Sequence, residues 1–107
     1  MPTQDILDRL AEVIGSRRRE RPDRSYVVRL LDGGIPEIGA KVTEEARELV
    51  LAAAGGDREH VAREAADLFF HALVLLEAAG VALADVRAVL AGRFGVGGIE
   101  EKEARGR

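Results

Sequence analysis

The stretch "DREHVAREAADLFFHALVLLEAAG", Asp57 to Gly80, decides how this chain folds. Beyond Asp67 its residues Leu68, Phe69, Phe70, Leu73, Val74, Leu75 and Leu76 point in nearly every direction around a helix axis. A helix that is apolar all round has to be covered all round. Asp57 is suited to cap its start and Gly80 to end it. The apolar run is interrupted by His71 and Glu77 and is too short to span a bilayer comfortably, so the helix belongs to a protein core. A chain of 107 residues has few helices with which to surround it. Part of its surface is therefore expected to be covered by a second copy, making a homodimer.

Working outward, "GG" at Gly55-Gly56 closes a preceding helix that starts at Pro36 and runs to about Ala54. Before it, "SYVVRLL" (Ser25 to Leu31) reads as a short helix capped by Ser25, and "DGGIP" as a turn. At the start, Ile6, Leu7, Leu10, Val13 and Ile14 share one helical face, and Gly15-Ser16 is expected to end that helix. "RRRERPDR" then reads as a charged loop. After Gly80, a last helix covers roughly Leu83 to Arg93, and residues 94–107 form a Gly-broken, charged tail expected to be flexible. Nothing alternates with period two. The expectation is an all-α bundle of four to five helices in one domain, 1–107.

The bulk composition excludes several classes. Hydrophobic residues are 47% and charged residues 33% of the chain, values of an ordinary globular domain. A net charge of −3 and the lack of a basic face give no case for nucleic-acid binding. The absence of Cys excludes disulfides and thiolate metal sites. The opening "MPTQDILDRLAEVIG" is acidic and amphipathic, unlike a signal peptide. A cytoplasmic protein with neither membrane nor nucleic-acid partner is expected.

Two of these helices carry acids beside their apolar faces. In "KVTEEAREL", Lys41, Glu44, Glu45 and Glu48 fall along one side, next to the apolar stripe of Ile38, Val42, Ala46, Leu49 and Ala53. Glu45 projects only about 40° from Leu49, inside the edge of that stripe. In "REAADLFFH", Glu64, Asp67 and His71 make a parallel stripe. The short connection between the helices makes them antiparallel neighbours, so the two stripes can face each other. Gathered carboxylates lose water and repel one another, and must take up protons or be neutralised by cations. All-oxygen donors favour Mg²⁺, with Mn²⁺ as substitute, over Zn²⁺. Because Mg²⁺ leaves positions open to phosphates, a phosphorylated substrate is implied as well. The same spacing also occurs on solvated helix faces, where Lys41 and Glu45 make an ordinary i, i+4 pair.

"KVTEEARELVLAAAGGD" followed by "REAADLFFHALVLL" resembles the E-x-x-E…E-x-x-D signature of the all-α nucleotide pyrophosphohydrolases related to MazG. With "SYVVRLLDGG" upstream and "GGIEEK" near the end, the chain is most similar to the phosphoribosyl-ATP pyrophosphohydrolase family, over about Ser25 to Lys102. The resemblance implies Mg²⁺-dependent hydrolysis of phosphoribosyl-ATP between the α and β phosphates. The products are phosphoribosyl-AMP and pyrophosphate, in the second step of histidine biosynthesis. It implies Glu45, Glu48, Glu64 and Asp67 as metal ligands, and Glu44 as a further ligand or the group that orients water. Ala82 departs from the capping Ser or Thr expected before the last helix.

Around this set, Lys41 is a candidate to reach a phosphate or hold a carboxylate. Arg24 and Tyr26 are candidates for substrate binding, against a solvated loop and core packing as the alternatives. His71 is read as a satisfied core histidine supporting Asp67 rather than as a metal ligand. Competing readings are a house-cleaning hydrolase of nucleoside triphosphates on the same scaffold, and a non-catalytic dimeric helical interaction module. A di-iron bundle is excluded, because neither His60 nor His71 follows a Glu at the required spacing.

Overall fold

The computed structural model describes residues 4–94, and these form α1 (Ile6–Glu20), α2 (Tyr26–Gly55), α3 (Arg58–Ala79) and α4 (Leu83–Phe94). No strand occurs among the described residues, in agreement with the all-α reading. Apart from the helical Phe94, the tail expected to be flexible lies outside them.

Local capping sets most of the boundaries. The Ser25 hydroxyl accepts the Val28 N–H at 3.2 Å, and the Asp57 carboxylate accepts the Glu59 and His60 N–H groups at 3.1 and 3.3 Å. Gly56 and Gly80 end α2 and α3 in the left-handed region, at φ 84° and 75°, where glycine carries no steric cost. The expected turn at "DGGIP" is a kink inside α2. Gly34 sits at φ 79°, ψ 178°, a conformation open essentially only to glycine, and Pro36 begins the second part with its φ already set.

The end of α1 differs from the expectation. The helix passes through Gly15-Ser16 and stops at Glu20. Gly15 is buried, and a Cβ there would meet Arg19 Nη1 at 3.3 Å and Glu77 Oε1 at 3.6 Å. It serves the close approach of α1 to α3, not a break in the helix. Arg17, Arg18 and Arg19 occupy the last turn, where cations favour the exposed carbonyls, and Arg18 pairs with Glu77. Arg21, left-handed at φ 50°, closes the helix by donating its N–H to the Arg17 carbonyl at 2.8 Å. Half of the segment read as a charged loop is thus helical.

α2 and α3 lie side by side, joined by the short turn through Gly56 and Asp57, and make the most extensive packing among the described residues. Ile14, Val27, Leu30, Ile38, Leu73 and Val74 form the buried core, with Phe70 and Leu76 packed on it. α3 is not covered on every side: Phe69 is 50% exposed, as are Val50 and Leu51 of α2 at 67% and 57%. α4 sets Leu83 against the core and is tied to α1 by Arg87, which reaches Asp5 and Asp8 at 3.0 Å each. Among the described residues no helix is long and apolar enough to cross a membrane.

Candidate metal and phosphate site

The antiparallel packing of α2 on α3 brings Glu45, Glu64 and Asp67 together, with one carboxylate oxygen from each lying within 4.8 Å of the other two. Glu45 and Glu64 leave only 13% and 14% of their side chains exposed, and Asp67 faces solvent. The apolar residues fix this arrangement. Ile38 is fully buried two turns before Glu45, and Val74 is fully buried two turns after Asp67, so the seam holds both acids in register. Separations of this size are close to the span of two bonds from oxygen to a divalent cation, about 4–5 Å. Three hard oxygen donors, two of them largely withdrawn from water, fit such an ion.

Two basic side chains flank the acids. Lys41 Nζ donates to Glu44 Oε1 at 2.8 Å and stands 4.0 Å from Glu45 Oε1. That hydrogen bond holds the Glu44 carboxyl below its usual range and pushes the Lys41 ammonium up. His60 Nε2, one turn before Glu64, is 4.0 Å from Glu64 Oε2. Of the four acids carried as metal ligands, Glu48 is the one the structure leaves outside the converging trio, on the exposed side of α2. Glu44 is also exposed and is engaged by Lys41.

His71 is buried, one turn beyond Asp67. Its Nδ1 lies 2.7 Å from the Asp67 main-chain carbonyl and its Nε2 2.9 Å from the Tyr26 hydroxyl. A carbonyl can only accept, so Nδ1 carries a proton, and in the neutral imidazole Nε2 accepts from the Tyr26 hydroxyl. The imidazole therefore contacts Asp67 through the main chain, and both ring nitrogens are engaged. Tyr26 stacks on Phe70 at 6.0 Å between centroids, and the Arg29 guanidinium lies 5.5 Å over its ring. Sequence reasoning missed Arg29 and the Tyr26–His71 pair. Forty-five positions separate those partners, so no local spacing signals the bond. His60 had a signal, its i, i+4 spacing to Glu64.

Comparison with known proteins gives a consistent picture. The family model described as phosphoribosyl-ATP pyrophosphohydrolase matches residues 7–94. A phosphoribosyl-ATP pyrophosphatase of Nitrosospira multiformis is 50% identical over 105 residues, covering 98% of this chain and 87% of that protein. The protein of the same name from Rhizorhabdus wittichii is 52% identical over 99 residues, 92% of this chain and 93% of its own. That from Erythrobacter litoralis is 50% identical over 102 residues, 95% and 98% of the two chains.

Proposed function

The chain belongs to the phosphoribosyl-ATP pyrophosphohydrolase family, and from that premise we propose how its acids carry out the reaction. It hydrolyses phosphoribosyl-ATP to phosphoribosyl-AMP and pyrophosphate, the step of histidine biosynthesis that the resemblance implies, with Mg²⁺ held between α2 and α3. The observation that carries this reading is the convergence of Glu45, Glu64 and Asp67 across the helix seam.

In this reading Glu45, Glu64 and Asp67 hold the ion, and Glu48, one turn along α2 from Glu45, joins them as a fourth ligand. Mg²⁺ bound there supplies charge neutralisation on the phosphate oxygens and a more acidic water. Glu44, which accepts a hydrogen bond from Lys41, takes the proton of the water that attacks the α phosphate. As that water forms its bond to phosphorus, the bond to the bridging oxygen breaks and pyrophosphate departs with the electron pair. Lys41 orients Glu44 and adds a positive charge at the phosphate chain. No side chain becomes covalently attached. His71 and Tyr26 fix the backbone at Asp67.

The test is pyrophosphate release from phosphoribosyl-ATP against a panel of nucleoside triphosphates, with Mg²⁺, with Mn²⁺ and with chelator. Release confined to phosphoribosyl-ATP and abolished by chelator is expected. Equal turnover of common triphosphates would favour the house-cleaning reaction instead. We further propose that the exposed Val50, Leu51 and Phe69 are covered by a second copy of the chain, acting in the cytoplasm as a homodimer. Sedimentation showing only monomer at tens of micromolar would rule that out.

A further inference from the structure

We propose that the cleft beside the α1–α2 connection is a second anion site, which takes the ribose-bound monophosphate of the substrate through Arg24 and Arg29. This rests on the reaction proposed above and deepens it, because it names what separates phosphoribosyl-ATP from ATP. Phosphoribosyl-ATP carries a triphosphate at one end and, across the adenine, a phosphorylated second ribose at the other. ATP has only the first. A site that tells the two apart needs a cationic contact at some distance from the metal-binding acids.

The cleft has a volume of about 580 Å³ and is lined by Arg21, Asp23, Arg24, Tyr26, Arg29 and Asp32, among others. Its charges do not cancel. Arg21 is committed to Asp32, with two bonds of 2.8 and 3.0 Å from one guanidinium nitrogen to both carboxylate oxygens. That leaves Arg24 and Arg29, neither with a carboxylate partner among the described residues, against Asp23 alone. One positive charge is in excess. Both free groups are guanidinium forks, which match phosphate geometry better than an ammonium does.

Two further features mark the cleft as a built site. Arg24 sits in the left-handed region at φ 63°, where a long side chain is strained and glycine would fit without cost. The Arg29 guanidinium lies over the Tyr26 ring at 5.5 Å, a contact that restrains it beside the cleft.

Tyr26 joins this cleft to the acids. Its ring lines the cleft, and its hydroxyl bonds to His71, which bonds to the Asp67 carbonyl. His71 is one turn from Asp67, about 6 Å along α3 at 1.5 Å per residue. Lys41, four residues before Glu45, stands on the same side of α2 as the acid trio. The Tyr26–His71–Asp67 bonds thus connect the arginine cleft to the helix that carries two of the three acids.

The experiment uses the full chain carrying Arg24→Gly and Arg29→Gln, singly and together. Glycine relieves the strained φ and glutamine suits a helix, so the double variant keeps the fold, as circular dichroism will register. KM for phosphoribosyl-ATP is expected to rise about tenfold for each guanidinium removed. Two probes divide the substrate. Ribose 5-phosphate should inhibit the unsubstituted protein competitively and fail to inhibit the double variant, whereas pyrophosphate should inhibit both alike. An unchanged KM with ribose 5-phosphate inhibition intact in the double variant overturns the subsite. So does a parallel loss of pyrophosphate inhibition, which would put the arginines on the triphosphate. If the unsubstituted protein releases no pyrophosphate from phosphoribosyl-ATP, the reaction itself is wrong and the subsite falls with it.

Discussion

Glu45 of α2 and Glu64 of α3 hold carboxylate oxygens within 4.8 Å of each other across a seam that leaves both side chains mostly covered. Two like charges at that distance repel by about 1 kcal/mol in water and by about 3.5 kcal/mol at an effective dielectric constant of about 20. A fold that needed only solubility would gain by placing them apart. The cation proposed above would relieve that repulsion and so add stability on binding. This relation between stability and ion binding makes the site testable without any assay of turnover.

Glu45→Gln and Glu64→Gln are expected to lower kcat/KM by about a hundredfold or more, beyond the effect of losing a partner that merely supports a ligand. In chelator the same variants should melt at or above the temperature of the unsubstituted protein, because repulsion has been removed. Adding Mg²⁺ should raise the melting temperature of the unsubstituted protein and leave that of the variants almost unmoved. A variant that melts well below the parent in chelator would mean that the acid holds the fold, not an ion.

Much of this geometry was legible because it is local. Caps at Ser25 and Asp57 and stops at Gly56 and Gly80 are set by side chains within a few residues, so helix boundaries followed from the sequence. The antiparallel seam followed from the short turn, and with it the meeting of Glu45, Glu64 and Asp67. What failed depended on distant contacts. Gly15 resembled a stop and is a packing position against Glu77, and Arg21 looked like part of a solvated loop but is paired with Asp32. Glu48, exposed one turn along α2 from Glu45, stands beside the trio and not within it, a distance that motif spacing does not specify.

The glycines of α2 should respond in opposite directions. Gly34→Ala puts a Cβ at φ 79°, ψ 178°, and is expected to cost roughly 1–3 kcal/mol. Gly39 lies inside the helix with nothing within 4 Å of where its Cβ would be. Gly39→Ala should therefore stabilise the protein by about 0.5–1 kcal/mol, through helix propensity and a less flexible unfolded chain. Urea titration measures both, and a loss of stability in Gly39→Ala would show that a neighbour packs there in solution.

The contact between α1 and α4 should depend on pH. Asp5 caps α1 by accepting the Asp8 N–H, and this bond, with that from Arg87, holds its carboxyl below the ordinary aspartate range. A depressed folded-state pKa means that this contribution is fully present above the unfolded value and is lost as pH falls through the folded one. Hydrogen exchange at the first turn of α1 should accelerate on acidification below about pH 4, the unfolded carboxyl range. Arg87→Gln should move the onset to higher pH while leaving the helix cap in place.

Tyr26→Phe separates packing from support of the site. The ring still stacks on Phe70, and only the hydroxyl that donates to His71 is lost. His71 is buried, so its Nε2 is left without a partner at a cost of about 1–2 kcal/mol, a fall of several degrees in melting temperature for a domain of this size. The imidazole can then turn away from the Asp67 carbonyl and loosen the backbone beneath that carboxylate. Mg²⁺ affinity, read by calorimetry on the folded variant, is expected to weaken by about tenfold. If melting falls while Mg²⁺ affinity stays unchanged, the Tyr26–His71 pair supports the fold alone, and Asp67 is positioned by helix packing without its help.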